Sequence, residues 1–291
     1  GYTLSKYPAL HETERIIVVD LYDPFHLETL ELIERRNLPP EQASTLIEHS
    51  VAVLNEQLLA GDFFICASER QRDLWLGALG TLGRLAPATY RRDPTLRTLI
   101  DVVPFGLPPE PPALTQKVLK GVVPGIAPDD IVLLWGGGIW EWLDPLTVIH
   151  AMARLKQSRP DIKLFFLGQH HPNPTEVGPM AMYQQAINLA TEHGLLNQTV
   201  FFNSRWVEYD QRHNYLLEAD IGISAHIEHI ETRFAFRTRL LDYMWAGLPM
   251  IVSAGDTLAD RVADWNLGRV VAIGDVAAWT AAILDLAAQR R

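Results

Sequence analysis

The sequence predicts an α/β fold of two domains with parallel sheets. Three observations carry this expectation. Short apolar runs at residues 16–20, 62–68, 130–135, 162–167, 219–225 and 248–252 alternate with longer amphipathic segments. Strands that are apolar throughout are buried on both faces, and intervening helices supply the crossovers that parallel strands need. The third observation is a stiff run containing Pro108, Pro109, Pro111 and Pro112, after which a new strand–helix series begins. The expected division is therefore residues 1–107 as a first domain, 108–120 as a Pro-rich linker and 121–291 as a second domain.

In the first domain, residues 16–20 form a strand that ends in Asp20, and Asp20 to Pro24 is the loop beyond it. Open α/β sheets bind ligands at the C-terminal ends of their strands. Asp20 and Asp23 are therefore ligand-side candidates; the alternative is that either one caps the next helix. Residues 27–38 read as a helix broken by Pro39 and Pro40, and 40–59 as a second amphipathic helix. Residues 62–68 form the next strand, and Ser68, Glu69, Arg70 and Gln71 open a helix. Residues 90–94 read as a polar loop, and a strand at 100–103 closes the domain.

The second domain opens with the strand at 130–135, followed by Gly136, Gly137 and Gly138 and a helix at 146–155. Strand, glycine turn and helix together bring backbone N–H groups near a phosphate, although glycines also serve ordinary tight turns. Residues 162–167 are a strand with His170 and His171 in the loop beyond it. Adjacent histidines point apart and no third ligand is spaced to join them, so no metal site is expected. A helix at 180–193, a strand at 199–202, a helix at 209–218 and a strand at 219–225 follow. A helix at 258–264, a strand at 268–272 and a helix at 276–289 end the chain.

Composition narrows the function classes. Apolar residues make up 48% and charged residues 21%, a globular profile. A net charge of −10 argues against non-specific nucleic-acid binding, which needs a basic footprint. The single Cys66 excludes an internal disulfide and fits a reducing, cytoplasmic setting. No apolar run reaches the ~18 residues of a membrane span.

Residues 231–260 organise the rest. Leu240, Leu241, Met244 and Trp245 share one helical face, Gly247 sits where a left-handed C-cap is favoured, and a buried strand follows. The start of that helix collects Arg233, Arg237, Thr238 and Arg239. A helix N-terminus already attracts anions, and three guanidiniums beside it point to a phosphate ligand. The ordinary alternative is a solvated basic turn.

The run Asp242, Tyr243, Met244, Trp245, Ala246, Gly247, Leu248 and Pro249 resembles the donor-binding segment of GT-B glycosyltransferases, most closely retaining family 4. Asp242 falls where that family places a Glu on the donor ribose, and Phe236 falls on the Phe of its turn. The family's first Glu falls on Phe234, and Glu231 is the nearest acid. The cations of the family's glycine turn fall on Gly138 and Leu143.

The resemblance implies a GT-B fold of two Rossmann-like domains facing a cleft, with the start of the first domain missing. It implies transfer of a sugar from a nucleotide-diphosphate-sugar donor to an acceptor hydroxyl of a sugar, glycan or lipid-linked acceptor, with retention and without a metal or other cofactor. Glu231 and Arg237 are then the catalytic candidates. Gly136, Gly137, Gly138, His171, Arg233, Phe236, Thr238, Arg239 and Asp242 would hold the donor, and Asp20 and Asp23 the acceptor. A peripheral contact with the inner membrane face, through the missing part, is a further expectation. The open alternatives are a sugar-nucleotide epimerase of the same fold and a non-catalytic sugar-nucleotide-binding scaffold.

Overall fold

The computed structural model describes residues 3–12, 14–168, 180–203 and 205–289. The chain divides into two compact units, Gly1–Phe105 with His229–Phe236, and Gly106–Glu228 with Arg237–Arg291. The segment His229–Phe236, read from the sequence as part of the second domain, therefore groups with the first.

The first unit holds a three-stranded parallel sheet, β1 (Val18–Asp20), β2 (Phe63–Cys66) and β3 (Ile100–Val102), in the order β1-β2-β3. Helices Phe25–Arg36, Pro40–Ala60 and Glu69–Thr81 accompany it. The core is Val19, Leu54, Leu58, Phe64, Trp75, Leu79 and Ile100. The first helix stops at Asn37, whose left-handed φ of 47° turns the chain into Pro39 and Pro40. Ser68 starts the third helix by accepting from the Gln71 N–H at 3.2 Å. Residues 90–94, expected as a loop, instead belong mostly to a short helix, Pro87–Arg92, with Pro87 at its first turn.

The second unit holds six parallel strands: β4 (Ile131–Trp135), β5 (Ile162–Phe166), β6 (Val200–Phe202), β7 (Ile221–Ser224), β8 (Met250–Ser253) and β9 (Gly268–Val271). Their order is β6-β5-β4-β7-β8-β9. Every residue of β4 is buried. Ile131, Leu133 and Trp135 share a core with helices Pro145–Leu155, Ala181–Glu192 and Val276–Ala288. Val132 and Leu134 are equally buried but lie outside that core. Alternate strand residues face opposite ways, so a second layer covers the other face. Helices Arg212–Glu218, Arg239–Trp245 and Thr257–Asp264 pack there against β4, β7, β8 and β9. The all-parallel, two-faced sheet agrees with the sequence reading.

The tail of the expected linker is tied into the second unit. The Thr115 N–H donates to Asn214 Oδ1 at 2.8 Å, the Leu119 N–H to Glu218 Oε2 at 2.7 Å, and Lys120 pairs with Asp220 at 2.6 Å.

Candidate functional site

Strand order reverses between β4 and β7: the chain runs outward from β4 through β5 to β6, then returns to β7 on the other side. At such a point the connections leave in opposite directions and open a crevice at the carboxyl ends. Pairing between β4 and β7 covers only Leu133 with Ile221 and Leu134 with Gly222.

The hydroxyl of Tyr243 plugs the split. It accepts from the Gly136 N–H at 2.8 Å and lies 2.9 Å from both Leu134 O and Ile223 O, between which it shares its proton. Burial pushes its pKa up to about 12, so it stays a donor. Two glycines make room for the ring. A Cβ on Gly222 would stand 2.5 Å from it, and one on Gly136 3.0 Å. Gly137 has a φ of 147°, a backbone conformation open to glycine. Gly168, at the end of β5, abuts the same loop: a Cβ there would meet Gly137 O at 2.7 Å. Sequence reading marked the triple glycine but missed Gly168 and Tyr243. The Gly168 signal was available, a glycine closing an apolar strand.

Arg239 lies beneath this loop. Its Nη2 donates to Gly138 O at 3.1 Å, its guanidinium carbon is 5.1 Å from the Trp135 ring, and Nη1 is buried with no hydrogen-bond partner among the described residues. Burial lowers its pKa to about 10, which leaves it charged at neutral pH. A half-buried cation without a carboxylate is expensive, and a bound anion would repay the cost. The Gly138 N–H also takes no acceptor among the described residues.

Leu143, where the resemblance would place a second cation, is an apolar core position. Leu143 is 1% exposed, within the hydrophobic core, and forms an antiparallel bridge with His226. A lysine there would be buried, and Arg239 brings positive charge to the loop from the opposite side of the crevice.

In front of the loop is a pocket of about 240 Å³. Its walls include Gly136, Gly137, Gly138, Leu167, Gly168, Arg205, Trp206, Tyr209, Arg212 and Asp242. Asp242 sits in the first turn of helix Arg239–Trp245. Its Oδ1 accepts from Nε of Arg212 at 3.1 Å, and Nη2 of the same guanidinium pairs with it at 3.1 Å. Burial raises its pKa, and Arg212 opposes the rise. The helix ends as expected. Gly247 has φ 63°, its N–H reaches Met244 O at 3.1 Å, and the Leu248 N–H reaches Tyr243 O at 2.9 Å, the paired bonds of a Schellman motif.

The remaining candidates are scattered. Arg237 is 8% exposed and lies close enough to the buried Asp256 for its charge to hold that carboxylate's pKa down, against a larger rise from burial. Thr238 occupies the N-cap position but makes no capping bond. Glu231, Arg233 and Phe236 belong to the first unit. There Glu231 is 1% exposed and 3.3 Å from His229, Arg233 is exposed over the Phe234 ring, and Phe236 lies 6.2 Å from Phe105. Asp20 is exposed and accepts from the Tyr22 N–H at 3.2 Å. Neither Asp20 nor Asp23 caps helix Phe25–Arg36, which starts at Pro24 without a side-chain cap. His171 lies outside the described residues. Among the described residues no group of three or more His, Cys, Asp or Glu is placed to hold a metal ion. Sequence reading missed Arg205, Trp206, Tyr209 and Arg212, because nothing in the loop after β6 or at the start of the following helix marks which residues face a distant helix.

Residues 130–289 match the family model for glycosyl transferases group 1. No curated protein sequence matches. Among solved structures, sucrose-phosphate synthase from Thermosynechococcus elongatus is similar at TM-score 0.61 and 17% identity, over 97% of this chain and 61% of that one. WaaG, a glycosyltransferase involved in lipopolysaccharide biosynthesis, is similar at 0.60 and 18%, over 98% and 72%. Anabaena HepE, solved with UDP-glucose, is similar at 0.57 and 14%, over 94% and 63%. The chain thus spans about three-fifths of the synthase's length.

Proposed function

The chain belongs to the group 1 glycosyl transferases and has their GT-B type of α/β fold, and from that premise we propose that it transfers a sugar from a nucleotide-diphosphate donor to an acceptor hydroxyl. One observation carries the reading. At the switch point of the larger sheet, a glycine loop and an Arg239 whose Nη1 has no partner among the described residues leave positive charge and a backbone donor unused, the combination a diphosphate needs. HepE, of similar fold, was solved with UDP-glucose.

On this reading the diphosphate rests on the 136–138 loop and takes charge from Arg239, while Asp242 accepts from a ribose hydroxyl. As the glycosidic bond breaks, negative charge collects on the departing diphosphate. Fixed cations stabilise that charge in the transition state more than in the ground state. Arg237 and Glu231 keep the catalytic roles assigned above, with Arg233, Phe236, Thr238 and His171 on the donor side and Asp20 and Asp23 on the acceptor side. The anomeric configuration is retained and the arginines supply the charge that a metal would otherwise bring. The acceptor is a sugar, glycan or lipid-linked sugar in envelope or polysaccharide synthesis. The enzyme works in the cytoplasm, with a peripheral contact at the inner membrane face; among the described residues no helix is long and apolar enough to cross a membrane.

Incubating the protein with a panel of nucleotide sugars, with and without candidate acceptors, tests the reading. Release of nucleoside diphosphate that depends on acceptor supports transfer. Release or epimerisation without any acceptor would replace transfer with donor chemistry alone, and binding without turnover would leave a scaffold.

A further inference from the structure

Arg212 is the most engaged cation of the pocket wall. Its Nε donates to Asp242 Oδ1 at 3.1 Å, its Nη2 lies 3.1 Å from the same oxygen, and its Nη1 donates to Tyr209 O at 2.7 Å. Its guanidinium carbon stands 3.5 Å from the Tyr209 ring centroid and 5.1 Å from that of Trp245. The side chain is 12% exposed. Nε and Nη1 are therefore engaged within the protein, and the guanidinium is held between Asp242 and two aromatic rings. Its geometry has another effect. The hydrogen bond from Nε and the ion-pair contact of Nη2 both fall on Oδ1, and Oδ2 takes no hydrogen bond among the described residues, while the Asp242 side chain stays 32% exposed on the pocket wall. The guanidinium fork holds one oxygen and leaves the other facing a ligand.

We propose that Arg212 is a positioning residue which aims Asp242 Oδ2 at a ribose hydroxyl, and so makes the pocket select ribonucleotides over their deoxy counterparts. The inference deepens the donor-site reading and rests on it. The physical basis is preorganisation. A carboxylate already fixed in one rotamer loses little freedom on accepting a hydroxyl, whereas a loose one gives back part of the bond's strength as ordering cost. Arg212 also opposes the rise that burial imposes on the Asp242 pKa, and only the ionised carboxylate can accept at either oxygen. Arg212 further ties Asp242 to Tyr209 at the pocket mouth.

The test is calorimetric titration of the full 291-residue chain with UDP, GDP and ADP and their 2′-deoxy and 3′-deoxy forms. The wild type should prefer at least one ribonucleotide over a deoxy form by about tenfold, the value of one charge-assisted hydrogen bond. Arg212→Gln should weaken that ribonucleotide by nearly the same factor and leave the deoxy form within about twofold. Arg212→Lys keeps the charge without the fork, and should lose most of the preference as well; it carries the test if the Gln variant does not fold. The double variant Arg212→Gln with Asp242→Asn should bind the ribonucleotide no worse than Asp242→Asn alone, since both act on one bond. Equal losses for ribo and deoxy forms, or additive losses in the double variant, overturn the inference while the donor site stands. If the wild type binds none of the diphosphates, the donor-site reading falls with it.

Discussion

The carboxyl ends of the two sheets are built from the same parts and treat their polar groups differently. At the edge of the three-stranded sheet, most polar groups are spent locally, although His26 Nδ1 is buried without a partner among the described residues. Asp20 takes the Tyr22 N–H, the Trp75 indole donates to Leu21 O, and the Gln71 amide donates to Tyr22 O and Phe234 O. Asp101, on β3, is held by Arg97 and the Val102 N–H. At the edge of the six-stranded sheet, Arg239 Nη1 and Asp242 Oδ2 have no partner among the described residues. A fold closes polar groups where it can, since each open one costs stability. Where it leaves several open together, they mark a place kept for something else.

The largest effect should come from the open cation. Arg239→Gln should weaken nucleoside diphosphate binding by roughly tenfold or more, because a charge-assisted contact is lost. Its melting temperature should hold or rise, since the lost charge had no partner to be missed. Unchanged diphosphate affinity with a lower melting temperature would break the contrast between the two edges.

Arg237→Ala should behave oppositely in one respect. It reduces turnover, but it also leaves Asp256 buried without its cation, at a cost on the order of 3 kcal/mol. Chemical denaturation of the two variants side by side separates an Arg that serves a ligand from one that also serves the fold. Tyr243→Phe should cost about 1–3 kcal/mol in the same assay, because the Gly136 N–H and two carbonyls lose a buried partner. A smaller loss would show that water enters the split between β4 and β7.

Acidity probes Asp242. Only its ionised form accepts from a hydroxyl at either oxygen, and burial raises its pKa. Ribonucleotide affinity should therefore fall as pH drops through that pKa, which lies above the ordinary aspartate value, and the deoxy form should show the fall weakly. Titrations at several pH values check this. The smallest effect belongs to the closed edge. Asp20→Asn should leave diphosphate affinity within about twofold and stability within about 0.5 kcal/mol. Any change should appear only in acceptor-dependent turnover.

The sheets and most helices were legible because β4 is an unbroken apolar run, β5, β7 and β8 are apolar but for Lys163, Ser224 and Ser253, and Pro39, Pro40 and Gly247 punctuate the helices. The glycine loop was legible as a strand–glycine–helix pattern and Arg239 as part of an Arg-rich helix start, whereas Asp242 was legible because a resemblance pointed at it. The short helix at Pro87–Arg92 was not, since a polar helix of six residues has no apolar face to read. Arg212 was not either. Its meaning depends on Asp242, thirty residues away, and such a pairing is set by packing rather than by any local pattern. The split of the Arg-rich turn was hidden for the same reason. Nothing in residues 229–239 shows that Arg233 groups with one unit and Arg239 with the other.

The plug between β4 and β7 has a consequence for how this site can change over evolutionary time. Tyr243 fits only because Gly136 and Gly222 lack a Cβ, and those glycines would leave a hole if the ring were lost. The three positions form one heritable unit drawn from three distant parts of the chain. A lineage can alter the pocket mouth at Arg205, Trp206 or Tyr209 one residue at a time and so drift toward a different donor. It cannot alter the loop floor that way, because any single step there passes through a clash or a cavity. Change in specificity should therefore accumulate at the rim, over a floor that stays as it is.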